Sequence, residues 1–227
     1  LKQQYCLVSA TLQNIVNDHI RRYGDLHTLP DLAAIHINDT HPALCIPELM
    51  RILMDEHGFS WDEAWDIVHR TVAYTNHTVM SEALEKWNED LIERRLPRIH
   101  SIIKEINQRF CADMWNLFPG DWNKIERMSI MSHGQVRMAN LSVVASHAVN
   151  GVSSLHSEII KNSIFKDFND AYPDRFTNVT NGIAYRRWLC QSNPELATLI
   201  TDCIGDGFVH DASKLAEFKR FVDDEAV

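Results

Sequence analysis

The feature that most constrains how this chain folds is a short apolar segment that runs directly into a polar cluster. Ile35 and Ile37 flank a histidine, and Asn38-Asp39-Thr40-His41-Pro42 follows at once. This alternation predicts a half-buried β-strand, whereas the apolar residues after Pro42 recur every three or four positions and predict a helix. Open α/β sheets bind their ligands at the carboxyl ends of such strands, so the cluster is a candidate site.

Helical periodicity dominates the rest of the chain and predicts a mostly helical α/β protein. Ser60 and Glu63 fit a capping box at the start of one helix, and Pro97 predicts a bend or a restart in another. A second strand is predicted at residues 176–179. The predicted helices cover residues 4–23, 42–57, 61–72, 92–110, 138–159, 193–204 and 213–222.

Two polar clusters can carry chemistry, and each has a structural alternative. Asp39 and His41 are two residues apart and suit a sugar-hydroxyl site or half of a metal site. Alternatively, Asp39 caps the helix that begins at Pro42. Tyr74-Thr75-Asn76-His77-Thr78 offers five hydrogen-bonding residues in a row, as a neutral sugar requires. Its alternative is a helix C-cap with Asn76 in the left-handed conformation.

Two further signals are less specific. Asn150-Gly151 interrupts the helical run at residues 138–159, where glycine costs about 1 kcal/mol relative to alanine. A bend or a close contact is expected there, and either a ligand or a backbone carbonyl can satisfy the amide. Arg186 and Arg187 beside a turn suit a phosphate, but a solvated face with arginine stacked on Trp188 explains them as well.

Composition narrows the possible functions. The chain has 227 residues, 45% of them hydrophobic and 23% charged, which is typical of a soluble globular protein. The formal net charge of -9 disfavours nucleic acid as a partner. No apolar run approaches membrane-spanning length, so no membrane partner is expected. Five scattered cysteines without a C-x-x-C pair predict a reducing, cytoplasmic compartment and no thiolate metal site.

The residue types and their spacing predict a site with polar walls but without a nucleophile. No dinucleotide, P-loop, esterase or zinc-protease motif occurs, and no serine, cysteine or lysine stands in a recognisable activated setting. We therefore expect no catalytic residue and no metal site in this segment. The chain opens on Leu1 without a signal-peptide pattern and stops unpunctuated at Val227, so we expect an internal part of a longer protein.

Six segments, taken together, indicate a protein family more specifically than the chemistry of any one of them does. They are INDTHPALCIPELMRILMDE, AYTNHTVMSEALEKW, LPRIHSIIKEINQRF, LFPGD, MANLSVVASHAVNGVSSLHSEIIK and FTNVTNGIAYRRWLCQSNPELA. In this order and at this spacing they resemble the α-glucan phosphorylases, which act on glycogen, starch or maltodextrin. The resemblance covers essentially the whole chain and implies part of a GT-B fold, in which two Rossmann-like domains face each other. Residues 1–150 would form the last part of the amino-terminal domain, and residues 151–227 would form the first part of the carboxy-terminal domain.

The resemblance also implies a reaction. The family reversibly phosphorolyses terminal α-1,4-glucosyl units to glucose 1-phosphate with retained configuration, so the partners are an α-1,4-glucan and inorganic phosphate. The full-length protein is expected to be a homodimer. The family uses pyridoxal 5′-phosphate, whose phosphate acts as an acid–base partner. The lysine that binds it belongs beyond Val227, so this segment alone is expected to be inactive and cofactor-free.

Site residues follow from the same resemblance. His77 and Asn150 match the family's contacts to the glucose 6-hydroxyl. Asp39 and His41 match residues that line a side pocket beside the anomeric carbon and the neighbouring acceptor sugar. Glu85 matches a residue of the same pocket. The positions expected only to line the site are Asn38, Thr78 and Ala83.

Two other functions remain open. A metal-dependent hydrolase would use Asp39, His41 and His77, and stoichiometric zinc or manganese would indicate it. A non-catalytic glucan-binding module built from a phosphorylase segment is the second alternative. An intact gene that encodes only these residues would indicate that module.

Overall fold

A computed structural model describes residues 1–225 and shows a mostly helical α/β architecture with a parallel sheet. The predicted fold class is therefore confirmed at this level. The chain divides into two compact units, Leu1–Thr180 and Asn181–Val227. Among the described residues, no helix is both long enough and apolar enough to cross a membrane.

Seven strands and eleven α-helices lie within residues 1–225. The strands are β1 (Ile35–Asn38), β2 (Val72–Thr75), β3 (Lys86–Asn88), β4 (Met131–Ser132), β5 (Gln135–Arg137), β6 (Ala148–Gly151) and β7 (Phe176–Asn178). The helices are α1 (Lys2–Tyr23), α2 (Leu29–Leu32), α3 (Cys45–Arg51), α4 (Trp61–Thr71), α5 (Glu89–Arg95), α6 (Pro97–Leu117), α7 (Trp122–Met128), α8 (Met138–Ala145), α9 (Ser154–Ile159), α10 (Lys166–Ala171) and α11 (Pro194–Ile204). Five 3-10 segments (Leu26–Thr28, Ser81–Ala83, Pro173–Arg175, Asp206–Val209, Ala212–Phe221) and three π-helical segments (Ile52–Glu56, Ile160–Ile164, Arg186–Gln191) complete the described chain.

A four-stranded parallel sheet with the order β1-β2-β6-β7 forms the centre of the first unit. Parallel neighbours need long crossover connections, and helices supply them, for example α3 and α4 between β1 and β2. A small antiparallel sheet with the order β3-β5-β4 comes from the connection between β2 and β6. Its strands are two or three residues long, which is too short for a readable alternation, and the sequence did not predict them.

The core of the first unit is built around α3. Every residue from Cys45 to Met50 is buried, and α3 contacts both α1 and α6. Ile46, Leu49 and Met50 are fully buried, and each apolar side chain of this size stabilises the fold by about 1.5–3 kcal/mol. This packing fixes the helix that follows β1, and with it the turn that carries the first polar cluster.

Several predicted elements are confirmed. Helix α1 ends at Tyr23 with Gly24 in the left-handed conformation, and both capping-box hydrogen bonds join Ser60 and Glu63. Pro97 marks a restart, because α5 ends at Arg95 and α6 begins at the proline, where its missing N–H costs nothing. Strand β7 and helix α11 lie where the sequence predicted a strand and a helix.

The predicted helix at residues 138–159 is wrong in its middle. Helix α8 ends at Ala145, β6 occupies Ala148–Gly151, and α9 begins only at Ser154. An apolar run suits a strand buried between two parallel neighbours as well as it suits a helix. Because β6 pairs with β2 and β7, the first unit extends to Thr180, and the domain division at residue 150 stays a prediction.

The second unit contains α11 and short helical segments. The hydroxyl of Tyr185 donates to the carbonyl of Val209 at 2.9 Å, and the Arg186 guanidinium lies 4.8 Å from the Tyr185 ring centroid. The predicted stacking of arginine on Trp188 is therefore wrong for Arg186, and Trp188 is exposed. The segment predicted as a helix at residues 213–222 is 3-10 helix over Ala212–Phe221.

Candidate functional site

The carboxyl edge of the parallel sheet carries a row of polar side chains. Strand register places Asn38 of β1 beside Thr75 of β2, and Thr75 beside Asn150 of β6. Neighbouring strands lie about 4.8 Å apart, so one small ligand can contact several members of the row. The Asn150 Nδ2 group donates to the Thr75 hydroxyl at 3.2 Å. Both polar clusters and Asn150 therefore meet at one edge.

His77 lies directly beyond β2 and is exposed. Its Nε2 lies 2.5 Å from the amide oxygen of Asn38, which can only accept, so Nε2 carries the proton and donates. This bond ties the turn after β2 to the end of β1. The Nδ1 atom has no partner among the described residues and remains available to a ligand.

Asn76 is fully buried and does not have a left-handed backbone. The predicted helix C-cap is wrong, because the residues before Asn76 form strand β2 and not the end of a helix. The Asn76 Nδ2 group instead donates to the hydroxyl of Tyr74 at 3.1 Å. Within this cluster, Asn76 therefore has a structural role, whereas His77 is available to a ligand.

Asn76 also organises the turn that presents His77. Its amide oxygen accepts from the Thr78 N–H and lies 3.1 Å from Nε2 of His156. The Val152 N–H donates to Nδ1 of His156 at 3.0 Å, so Nδ1 accepts and Nε2 donates to Asn76. Buried polar groups need such partners, and here the requirement fixes the position of Thr78 and the tautomer of His156.

Asp39 occupies the turn after β1 in a left-handed conformation, with φ of 62°. A side chain with a Cβ pays roughly 1 kcal/mol for this backbone, and strained residues cluster at active sites, ligand sites and switch regions. The Asp39 carboxylate accepts from the Thr40 N–H at 2.6 Å. The N-cap of α3 is Leu44 and has no side-chain hydrogen bond, so the prediction that Asp39 caps this helix is wrong.

Glu85 joins Asp39 and His41 in one cluster. One carboxylate oxygen of Glu85 accepts from Gln4 at 2.8 Å, and the other lies 3.4 Å from the Thr40 hydroxyl and 3.7 Å from Nδ1 of His41. His41 is also 4.0 Å from the Asp39 carboxylate. The structure therefore brings together the three residues that the resemblance assigned to a side pocket.

Asn150 lies in a strand, and both ends of its amide have protein partners. Nδ2 donates to Thr75, and the amide oxygen accepts from the Val179 N–H at 2.6 Å. One Nδ2 proton remains available to a ligand. The expected close contact is present at Gly151, where a Cβ would lie 2.9 Å from the Ser157 Cα.

The assembled site suits hydrogen bonding to a polar ligand. It presents two amides, two histidines, hydroxyls and two carboxylates, and it contains no lysine or arginine. No group of three His, Cys, Asp or Glu within residues 1–225 is arranged to hold a metal ion. Of the predicted lining residues, Asn38 and Thr78 contact the site network, whereas Ala83 is exposed in the 3-10 segment Ser81–Ala83.

Sequence reasoning missed four residues that support the site. Gln4 contacts Glu85, His36 contacts the Thr75 hydroxyl, and His156 contacts Asn76. The fourth is Asn178, whose Nδ2 donates to the Ser157 hydroxyl at 2.9 Å. No local pattern marks such partners, because two of the contacts join residues 80 or 81 positions apart.

Known proteins resemble the chain over its whole length. The family model for carbohydrate phosphorylase matches residues 1–227. The glycogen phosphorylase of Bacillus subtilis (strain 168) is 51% identical over 226 residues. The human muscle form is 50% identical over 239 residues, and the mouse brain form is 50% identical over 237. Each alignment covers 100% of this chain, and the chain spans 28% of the length of each relative.

The fold and the site together define an α/β protein with a polar ligand site at the carboxyl edge of a parallel sheet. Because the family model matches every residue, the chain belongs to the carbohydrate phosphorylase family. The family predicted from the six sequence segments is confirmed.

Proposed function

We propose that this chain is a segment of an α-glucan phosphorylase, which reversibly converts terminal α-1,4-glucosyl units to glucose 1-phosphate. The observation that carries the proposal is the row of Asn38, Thr75 and Asn150 beside His77 at one sheet edge. Neutral sugar hydroxyls are held by directional donors and acceptors of this kind. The curated relatives named above are glycogen phosphorylases, which supports a glucan as the substrate.

The site residues divide into two roles. His77 and Asn150 contact the glucose 6-hydroxyl, for which the open Nδ1 of His77 and the spare Nδ2 proton of Asn150 are suited. Asp39, His41 and Glu85 line the pocket beside the anomeric carbon and the acceptor sugar. Short strands and buried hydrogen-bond partners hold these groups in place, so they orient the glucosyl ring and do not act as nucleophiles.

The bond changes need groups that this segment does not supply. In phosphorolysis the bond from C1 to the glycosidic oxygen breaks, a phosphate oxygen bonds to C1, and the departing 4-oxygen gains a proton. Pyridoxal 5′-phosphate supplies acid–base chemistry in the family. The site described here contains no lysine, so its residues do not fit the attachment of this cofactor, and we place it in the remainder of the full-length protein.

Finer properties belong to the same proposal. The acceptor is glycogen, starch or a maltodextrin, the full-length enzyme is a homodimer with a GT-B fold, and its second domain begins near residue 151. A cytoplasmic location is supported by the five cysteines, all of which are free thiols.

The proposal is tested with the full-length protein loaded with pyridoxal phosphate. Glucose 1-phosphate release from maltodextrin and phosphate is measured for the wild type, His77→Ala and the control His57→Ala. Loss of one substrate hydrogen bond is expected to lower kcat/KM for His77→Ala by about 10- to 100-fold. His57 is exposed, follows the segment Ile52–Glu56 and makes none of the hydrogen bonds of the site described above, so its variant keeps wild-type activity. Absence of release by the wild type would reject the enzyme and favour a glucan-binding module.

A further inference from the structure

A cleft opens between α4 and α6, away from the site described above. It holds a cavity of about 400 Å³, and a second cavity of about 350 Å³ shares three of its lining residues. We call the two together the α4–α6 cleft, and its main walls are Trp61, Trp65, His69, Phe110, Tyr172 and Arg175. Volumes of this size and aromatic walls are typical of small-molecule sites.

The α4–α6 cleft lies at the amino ends of the parallel strands. His69 is in the last turn of the helix that leads into β2, His147 directly precedes β6, and Arg175 directly precedes β7. The row of Asn38, Thr75 and Asn150 lies at the carboxyl ends of the same strands. The two sites are therefore on opposite edges of one sheet, and the cleft is not a part of the proposed phosphorylase pocket.

Arg175 is the unusual group in the cleft. Its Nη1 donates to the carbonyls of Val143 and Val144 at 3.0 and 3.2 Å, and its guanidinium carbon lies 4.0 Å from the Tyr172 ring centroid. Within residues 1–225 no carboxylate pairs with Arg175, and its Nε and Nη2 groups have no protein acceptor. Burial lowers the pKa of Arg175, as expected for a cation without a counter-charge.

The other charges of the cleft are already compensated or exposed. Arg109 lies over the Trp61 ring at 5.0 Å and pairs with Glu105 and Asp62 at 2.7 and 3.0 Å. Asp113 and Asp174, which also line the cleft, are exposed at its rim. A ligand with several anionic groups would be repelled by this rim, whereas a single carboxylate or phosphate group can bind to Arg175.

His69 adds a neutral acceptor to the same wall. Its Nδ1 lies 3.0 Å from the carbonyl oxygen of Ala145, so Nδ1 carries the proton and Nε2 is left as an acceptor. Burial, and secondarily the charge of Arg175, lower the pKa of His69, which keeps the ring neutral near pH 7. Its ring stacks with that of Trp65 at a centroid distance of 6.4 Å.

We propose that the α4–α6 cleft binds a small organic anion, a flat ring that carries one carboxylate or one phosphate. The oxyanion bonds to the free N–H groups of Arg175, since a guanidinium fork binds such oxygens in pairs. The ring packs against the aromatic walls, which supply most of its buried apolar contact. The site is independent of the proposed glucan reaction, because it uses none of the glucosyl-site residues.

The binding test uses the full-length protein and isothermal titration calorimetry. Benzoate and phenyl phosphate represent the two headgroups, benzamide is the neutral isostere of benzoate, and acetate is a headgroup without a ring. We expect one or both aromatic anions to bind at least about tenfold more tightly than benzamide and acetate. The tighter of the two identifies the headgroup. Equal affinity for benzoate and benzamide, together with no preference for phenyl phosphate, or no binding at all, overturns the proposal.

Variants locate the binding. Arg175→Gln is expected to weaken the tighter anion about tenfold. Arg175 also binds carbonyls at the end of α8, so its replacement can disturb the fold as well as the cleft. A second variant, Ala112→Trp, therefore fills the cleft from an exposed lining position and leaves Arg175 unchanged. It is expected to weaken the anion to a similar degree. The control Arg127→Gln lies outside the cleft and keeps the wild-type affinity. An unchanged affinity in Ala112→Trp overturns the proposal whether or not Arg175→Gln folds.

Discussion

At the residue scale, the most informative side chain is one that no sequence pattern marked. His156 lies 80 positions from Asn76 and yet determines how the turn with His77 and Thr78 is held. Its two ring nitrogens have different, fixed roles, because one accepts from a backbone N–H and the other donates to an amide oxygen. Residues of this kind position a site without contacting its ligand.

Replacing His156 by alanine is expected to loosen the turn that presents His77. The variant leaves the Val152 N–H without an acceptor and Asn76 with one donor fewer, so the free energy of unfolding falls by about 1–3 kcal/mol. In the full-length protein, KM for maltodextrin rises because the turn is no longer held in place. Urea denaturation and initial-rate kinetics measure the two effects.

His156→Gln serves as the matched variant for this experiment. A glutamine offers one acceptor and one donor group, as the neutral imidazole does, and it is expected to recover part of both losses. If the alanine variant has wild-type stability and wild-type KM, the assigned positioning role is wrong.

Residue types predicted the location of the site better than its internal contacts. The clusters at Asn38-Asp39 and Asn76-His77 were visible because each is part of a run of hydrogen-bonding residues, and the first also follows a predicted strand, where open α/β sheets bind their ligands. The helix-cap alternatives for Asp39 and Asn76 were wrong, because α3 begins only at Cys45 and the residues before Asn76 form strand β2. Partners such as Gln4 and Asn178 were not predictable, since tertiary folding alone brings them to the site.

At the element scale, β6 shows where periodicity fails. The run at residues 138–159 has three-to-four spacing throughout, but a four-residue strand lies inside it. Val149 is fully buried between neighbours on both sides, and a strand in that environment need not alternate. The one local signal was Asn150-Gly151, which correctly indicated a break in the helix and a close backbone contact.

Gly151→Ala tests that contact. An added Cβ would lie 2.9 Å from the Ser157 Cα and closer still to its hydroxyl, so β6 and α9 must separate. Overpacking of this kind is expected to lower the free energy of unfolding by about 1–3 kcal/mol, measured by thermal or urea unfolding. It would also move Asn150, the adjacent residue of the strand.

Gly182→Ala is the natural control for this substitution. No atom lies within 4 Å of its added Cβ, and its backbone is not in the left-handed region, so stability should be unchanged or slightly raised. Equal stability of Gly151→Ala and the wild type would show that the strand–helix contact is not tight.

At the scale of the whole molecule, the first unit depends on a buried carboxylate. Glu48 of α3 is fully buried and accepts hydrogen bonds from Tyr5 and Ser9 of α1 and from Arg51. Burial raises the pKa of Glu48, but the bonds from Arg51, Ser9 and Tyr5 outweigh it, so the folded pKa lies below its ordinary value. The folded chain therefore binds this proton less tightly than the unfolded chain does.

This difference makes stability depend on pH. The contribution of Glu48 is complete above its unfolded pKa of about 4.3 and is lost as the pH falls through the lower folded value. Glu48→Gln is expected to lower the free energy of unfolding at neutral pH by about 3 kcal/mol. Urea unfolding across the acid range should show a flatter pH profile for this variant than for the wild type.

Glu93→Gln provides the comparison, since Glu93 is exposed on α5 and has no ion pair or hydrogen bond in the described part of the chain. Its stability and its pH profile are expected to match those of the wild type. If Glu48→Gln retains the wild-type slope in acid, another carboxyl is responsible for the acid sensitivity.

The strand register that aligns Asn38, Thr75 and Asn150 has a consequence for how such a sequence can change over time. A one-residue insertion or deletion inside a four-residue strand turns every later side chain to the other face of the sheet. The same length change in a connecting turn on the surface leaves the row intact. Descendants of this chain can therefore vary the lengths of their surface turns freely, whereas a single codon gained or lost in β1, β2 or β6 would break up this row of polar side chains even if the fold survived.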